Sequence, residues 1–192
     1  MFQEIEPFYG WLTYYSHEED ELSPYYGEEH NLFAFDRYIH TFCAHPLWDT
    51  IDSESLLIKI LYANYDEGYA VIELLGEWND LFLNDFKLLY ERCLSFMVDN
   101  GVNKFIFIAE NVFNVYLGPD DYYDAFQEEI EDGWMCLLRG RPHVYAEFVQ
   151  YNISRYFYWS VELDDLLWRK LKPWQVYEVV CKSMQRFLPS AE

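Results

Sequence analysis

Hydrophobic and polar positions follow a clear period only from residue 56 onward. Residues 56–63 are a β-rich apolar run, Tyr65-Asp66-Glu67-Gly68 is a turn, and residues 69–75 are a second run. This is the pattern of a hairpin, with Gly76 expected to end it. Asn79, Asp80 and Asn84 are candidate caps for the helix that follows. On that helix Phe82, Phe86, Leu89, Tyr90, Cys93, Leu94 and Met97 recur at spacings of three and four, so they share one apolar stripe. Asn100-Gly101 supplies a left-handed stop. The nearly continuous apolar run 104–109 suits a central parallel strand. Gly118-Pro119-Asp120-Asp121 opens a second helix, where the aspartates complement the positive end of the dipole. Its expected inner row is Tyr122, Phe126 and Ile130, with Glu128, Glu129, Glu131 and Asp132 facing water and Gly133 closing it. A strand at 134–138, a polar turn at 139–142, a helix within 144–157, a strand near 156–161 and an amphipathic helix from Pro173 to 187 complete the reading. The order from residue 56 is β-β-α-β-α-β-α. It predicts an α/β (α+β) fold, a mixed sheet with helices packed on it.

No period persists in residues 1–54. Ring clusters (Phe8-Tyr9-Gly10-Trp11, Tyr25-Tyr26-Gly27) alternate there with acidic runs (Glu18-Glu19-Asp20-Glu21, Glu28-Glu29). Loops, one short helix and a strand near 32–35 are expected, with 46–54 as a connection. The density of rings implies that the segment packs on the body. At 192 residues the chain is read as one domain in three parts: an irregular extension (1–54), an α/β body (55–138) and a C-terminal helical arm (139–192).

Charge sharpens this division. Residues 1–138 hold 28 of the 34 acidic side chains and 5 of the 13 Lys and Arg, whereas 139–192 hold 6 acids and 8 bases, so −23 and +2 give the net −21. Such a field repels nucleic acid and anionic membranes and suits a basic protein partner or a cation. Hydrophobic residues reach 52% and aromatics 21%, enough for a bulky core beneath a tyrosine-coated surface and far from a disordered composition. Rings at the surface are also favoured interface anchors. Cys43, Cys93, Cys136 and Cys181 are too dispersed for a structural zinc site, and three of them lie in apolar stretches. The N-terminus has no basic, apolar leader, and no window is apolar enough to span a membrane, so a cytoplasmic location is expected.

Candidate chemistry is sparse. His17, His30, His40 and His45 lie in the acidic N-terminal segment, and Asp36 and His40 would share a face if that stretch were helical. No HExxH, EF-hand loop, nucleophile elbow or phosphate loop occurs, and no cofactor is implied. Glu110 follows an apolar strand at the edge where open α/β sheets collect ligands. Arg139 and Arg141 have the geometry to grip an anion or to neutralise the acidic body. Trp168 and Trp174 flank Arg169, Lys170 and Lys172, which suits docking of the arm on the chain's own acidic body or on an acidic partner.

Leu75-Gly76-Glu77-Trp78-Asn79 is similar to the Gly-Glu-Leu-Asp step of the STAS domain, the small regulatory fold of bacterial anti-sigma-factor antagonists and sulfate-transporter tails. Arg141-Pro142-His143-Val144 through Arg155-Tyr156-Phe157 resembles that family's strand–helix–aromatic ending. The likeness covers roughly residues 69–157. In phospho-regulated members the loop after the third strand offers a Ser or Thr, whereas Glu110-Asn111-Val112-Phe113-Asn114-Val115-Tyr116 contains neither. The resemblance therefore implies a binding module without that switch. The expected function is a non-catalytic protein-binding domain, in one version an acidic inhibitor or immunity-type protein covering a basic partner such as a nuclease. The alternatives are a metal-dependent enzyme using His and carboxylate ligands, and a structural homodimer subunit.

Overall fold

A computed structural model describes residues 3–39 and 42–187. Three short strands, β1 (Gln3–Ile5), β2 (Tyr38–Ile39) and β3 (Phe42–Ala44), form a small sheet in the order β1-β3-β2. The main sheet has β4 (Asp49–Thr50), β5 (Leu56–Asn64), β6 (Tyr69–Asn79), β7 (Lys104–Tyr116), β8 (Trp134–Leu138) and β9 (Phe157–Tyr158), paired in sequence order. β4, β5 and β6 are antiparallel, and β6 through β9 are parallel. The fold is thus the mixed α/β arrangement that the pattern predicts.

Alternation along the strands assigns the two faces. Ile72, Leu74, Phe105, Phe107, Met135 and Leu137 point to one face. It is covered by α1 (Asp85–Leu89), which continues through a π-helical turn (Tyr90–Leu94) into α2 (Ser95–Asp99), then by α3 (Asp121–Glu129) and α4 (Pro142–Gln150). Placing these crossover helices on one side lets the parallel strands follow one another with right-handed connections. Val71, Ile106, Ile108, Cys136 and Leu138 point to the other face. There they meet Trp11, Trp168 and Leu163 of α5 (Val161–Asp164), and Val176 and Val180 of α6 (Pro173–Phe187). Each of these large apolar side chains stabilises by about 1.5–3 kcal/mol when buried, so α6 is a second layer of the core. The small sheet extends this layer, with Ile39, Ala44 and Trp48 packing on Leu57, Leu75 and Phe113.

Several expectations change. Residues 3–39 and 42–54 hold no helix, residues 32–35 form a turn and coil, and the 46–54 connection contains β4, which joins the main sheet. Asp36 lies in coil before β2, and its expected helical partner His40 is outside the described residues. Gly76 does not end β6. Its φ is +130°, and a Cβ there would stand 2.0 Å from the Ser55 carbonyl, so glycine lets the neighbouring backbone approach while the strand continues. Helix α1 starts at Asp85, which leaves Phe82 outside the stripe at 72% exposure. The inner row of α3 is Tyr123, Phe126 and Ile130, and Tyr122 lies at the surface. Residues 110–116, which the STAS likeness makes a loop, continue β7 alongside β6. Among the described residues no helix is long and apolar enough to cross a membrane.

Candidate functional site

Two polar clusters, one half-buried and one buried, and one surface groove stand out. The first cluster lies at the carboxyl end of β8 and beside it in mid-β7, where the pairing of the two strands stops. The last paired residues of these strands are Ile108 and Leu138. The β6–β7 register shifts immediately afterwards, between Glu73 and Leu75, so β7 bulges at Ala109-Glu110. A bulge re-aims a side chain beside a strand end. Here Glu110 accepts hydrogen bonds from Arg139 Nη2 (3.3 Å) and from Arg169 Nη1. Arg139, at φ +64°, also donates to the Asp164 carbonyl. The Arg141 Nε donates to the Glu110 carbonyl at 3.4 Å, and its guanidinium lies over Phe113. Arg169 stacks on Trp168, 4.4 Å from the ring centre, and its Nη2 reaches Glu73 at 3.4 Å. Glu110, Arg139 and Trp168 line a cavity of about 280 Å³ with Arg169 and Lys170.

Glu73 sits in mid-β6 at 1% exposure and accepts the Phe8 N–H at 2.8 Å. Burial pushes its carboxyl up to about 7, against the opposing pull of Phe8 and Arg169. Glu110 shifts the other way. Partial burial works against its charge, but Arg169 and Arg139 outweigh it and hold the carboxyl below the ordinary range. The cations here are matched to the chain's own carboxylates, which satisfies buried charge and leaves little positive field outside.

The second cluster docks the N-terminal segment on the exposed edge of β5. Lys59, in the middle of that strand, is buried and donates to Glu18 Oε1 at 2.9 Å. Its ammonium also lies 3.1 Å from His17 Nε2 and 3.5 Å from Asp49 Oδ2. Asp49 Oδ2 is 2.8 Å from His17 Nε2, and Oδ1 is 3.0 Å from His30 Nε2. Burial opposes charge on His17, yet Asp49 and Glu18 raise its pKa above the ordinary histidine value. Burial equally opposes ionisation of Asp49 and Glu18, and their partners hold both pKa values below the usual carboxylate range. Of the histidines singled out in the sequence, His17 and His30 meet here. Asp36 and His45 line a neighbouring pocket with Glu28, Glu29 and Trp48. His45 Nε2 is 3.7 Å from the exposed Glu4.

The groove lies beside this cluster, on the outer side of the same loop. Its walls are Leu12, Tyr14, Tyr15, Glu19, Asp20 and Tyr65, and its volume is about 460 Å³. Tyr15 and Tyr65 both donate to Asp20 Oδ2, at 2.7 and 2.5 Å. That bridge fixes a carboxylate between two rings. Trp174 is apart from both clusters, edge-on to Tyr14 at 5.2 Å with Lys172 over its ring.

Sequence reasoning missed Asp49, Lys59 and Glu73. The last two did carry a signal, because each is the one charge within an apolar run, residues 56–63 for Lys59 and 69–75 for Glu73. A charge kept at such a position needs a partner across the fold. Comparison with known protein families, curated proteins and solved structures finds no match to this chain.

Proposed function

We propose that the protein is a non-catalytic binding domain that engages a basic protein segment through the groove of residues 12–20 and Tyr65. One observation carries this reading: Asp20 is held rigidly between Tyr15 and Tyr65, and Leu12, Tyr14 and Glu19 complete an open wall. A lysine or arginine entering there meets a fixed carboxylate and ring faces together, so ion pairing and cation–π attraction add. The long-range field supports the same partner. Residues 1–54 hold 12 carboxylates and one arginine, Arg37. Elsewhere Arg155 is spent on Asp120 and Asp124, Arg186 on Glu162, and Arg92 on Asp52. The remaining surface is strongly negative, which speeds encounter with a basic partner. An inhibitor that covers a basic enzyme such as a nuclease has this chemistry. The STAS-like stretch, read as a regulatory binding module, agrees with it.

Calorimetry with an arginine- and lysine-rich peptide at low and high salt tests the reading. Affinity is expected to fall steeply with salt, and to fall at least tenfold further in Glu19→Lys and in Tyr14→Ala. Equal affinity in wild type and both variants would contradict it. A constant dimer by light scattering with no peptide binding would instead favour a homo-oligomeric role.

A further inference from the structure

The edge cluster has more lone pairs than its own protons satisfy. Asp49 is 1% exposed, and both its oxygens face imidazole nitrogens within 3.0 Å. Neither oxygen receives a well-directed N–H, and His30 Nε2 is likewise buried without a hydrogen-bond partner. Buried polar atoms left without a partner destabilise the fold, so they are rarely kept without a use. Ligand atoms of His17, His30 and Asp49 all lie within 4.8 Å of one another, near enough to share one ion.

The surroundings prepare these atoms as ligands. The Nδ1 of His17 is 3.1 Å from Glu18 Oε2. A carboxylate at that nitrogen holds the proton there and turns Nε2 inward as an electron-pair donor, the usual arrangement behind a metal-bound histidine. Lys59 corroborates the direction, because its ammonium already approaches His17 Nε2 and Asp49 Oδ2, where positive charge is wanted. His30 lies partly at the surface, in a pocket it shares with Glu28 and Glu29, which gives an ion a route in. The donor set is two imidazoles and one carboxylate. That set suits zinc and its neighbours, whereas magnesium and calcium take oxygen ligands.

We propose that His17, His30 and Asp49 form a binding site for a divalent cation of the zinc class, with Glu18 orienting His17 and Lys59 supplying the positive charge when no ion is bound. The ion takes the Nε2 atoms of both histidines and a carboxylate oxygen of Asp49, and a fourth position opens toward the His30 side. Binding moves the Lys59 ammonium wholly onto Glu18, which it already contacts. The site pins the loop that carries Glu19 and Asp20 to β4 and β5. It stands independently of the peptide-binding reading, because it rests on interior atoms.

The test is zinc titration of the full chain by calorimetry, with thermal denaturation and circular dichroism alongside. One equivalent of zinc is expected to bind and raise the midpoint, and magnesium is expected to do neither. His30→Gln, at the rim, should weaken zinc at least tenfold while leaving the fold intact. Asp49→Asn should weaken it further, and Lys59→Met should strengthen it because a competing cation is gone. His45→Gln is the control, since Glu4, Glu6 and His45 form the other, exposed cluster with metal-ligand spacing among the described residues. Absence of stoichiometric zinc in wild type would overturn the proposal. So would zinc binding that His30→Gln leaves unchanged, or that His45→Gln abolishes.

Discussion

The helix-covered face of the sheet and the N-terminal segment that wraps its edge are held by different forces. On the covered face Phe86 stacks on Tyr123, and Phe107, Phe148 and Phe157 surround Trp78, with no side chain in that group carrying charge. Of its buried acids, Asp80 is matched by Trp78, Tyr123 and the Phe86 N–H, and Asp85 by Ser53, Ser55 and the Asn79 N–H. Burial nevertheless raises the Asp80 carboxyl to about 6. The wrapping segment contributes fewer buried apolar side chains, Trp11, Tyr25, Ile39, Ala44, Trp48 and Ile51, spread over three places. Polar groups also attach it: Lys59, Asp49, His17 and Glu18, the Phe8 N–H on Glu73, and the Trp11 indole donating to the Leu171 carbonyl. Apolar packing is non-directional and spreads its energy over many contacts, whereas a buried ionic cluster concentrates it in a few groups. One region should therefore fail as a whole, and the other by local release.

Substitutions separate the two modes. Phe107→Ala should cost roughly 3–5 kcal/mol, the range for a buried phenylalanine, and lower the denaturant midpoint of the whole chain in one transition. Asp49→Ala should cost about 3 kcal/mol, because Lys59 and His17 are left buried without their shared carboxylate. Its loss should appear first as proteolytic cleavage within residues 11–30, before the sheet unfolds.

Glu73→Gln should act in the opposite direction. A folded-state pKa near 7 against an ordinary 4.5 means that the unfolded chain ionises this group more readily. Stability then falls as pH rises from about 4.5 through 7, and the penalty is fully present above 7. Glutamine keeps the Phe8 hydrogen bond and has no proton to lose. A gain of about 3 kcal/mol is expected at pH 8, vanishing near pH 4, as read by urea denaturation at the two values. Arg155→Ala is the smallest effect. Its pairs with Asp120 and Asp124 are solvent-exposed, so the thermal midpoint should stay within error.

The same contrast decides what could be read in the chain itself. The hairpin, the central strand, the Asn100-Gly101 stop and the final helix all follow from period and punctuation, because apolar faces repeat with the geometry of the backbone. Phe82 misled because its spacing fits the stripe, while the helix begins three residues later at Asp85, behind a left-handed Asn84. Gly76 misled because a glycine that admits a close neighbour resembles one that ends a strand. The N-terminal segment was illegible for a deeper reason. His17, Asp49 and Lys59 are separated by 32 and 10 residues, and only the folded sheet edge brings them together. The carboxyl-edge cluster was partly legible, since Glu110, Arg139, Arg141 and Trp168 all carry recognisable chemistry. Their mutual pairing came from the β7 bulge, which leaves no mark in composition.

Hydrogen exchange followed by mass spectrometry, on wild-type and Asp49→Ala protein at neutral pH, tests this division most directly. Residues 11–30 are expected to lose protection in the variant while β6, β7 and β8 keep theirs. Equal loss across the sheet and the segment, or no loss in the segment at all, would contradict the claim that the buried ionic cluster is what holds residues 11–30 on the sheet.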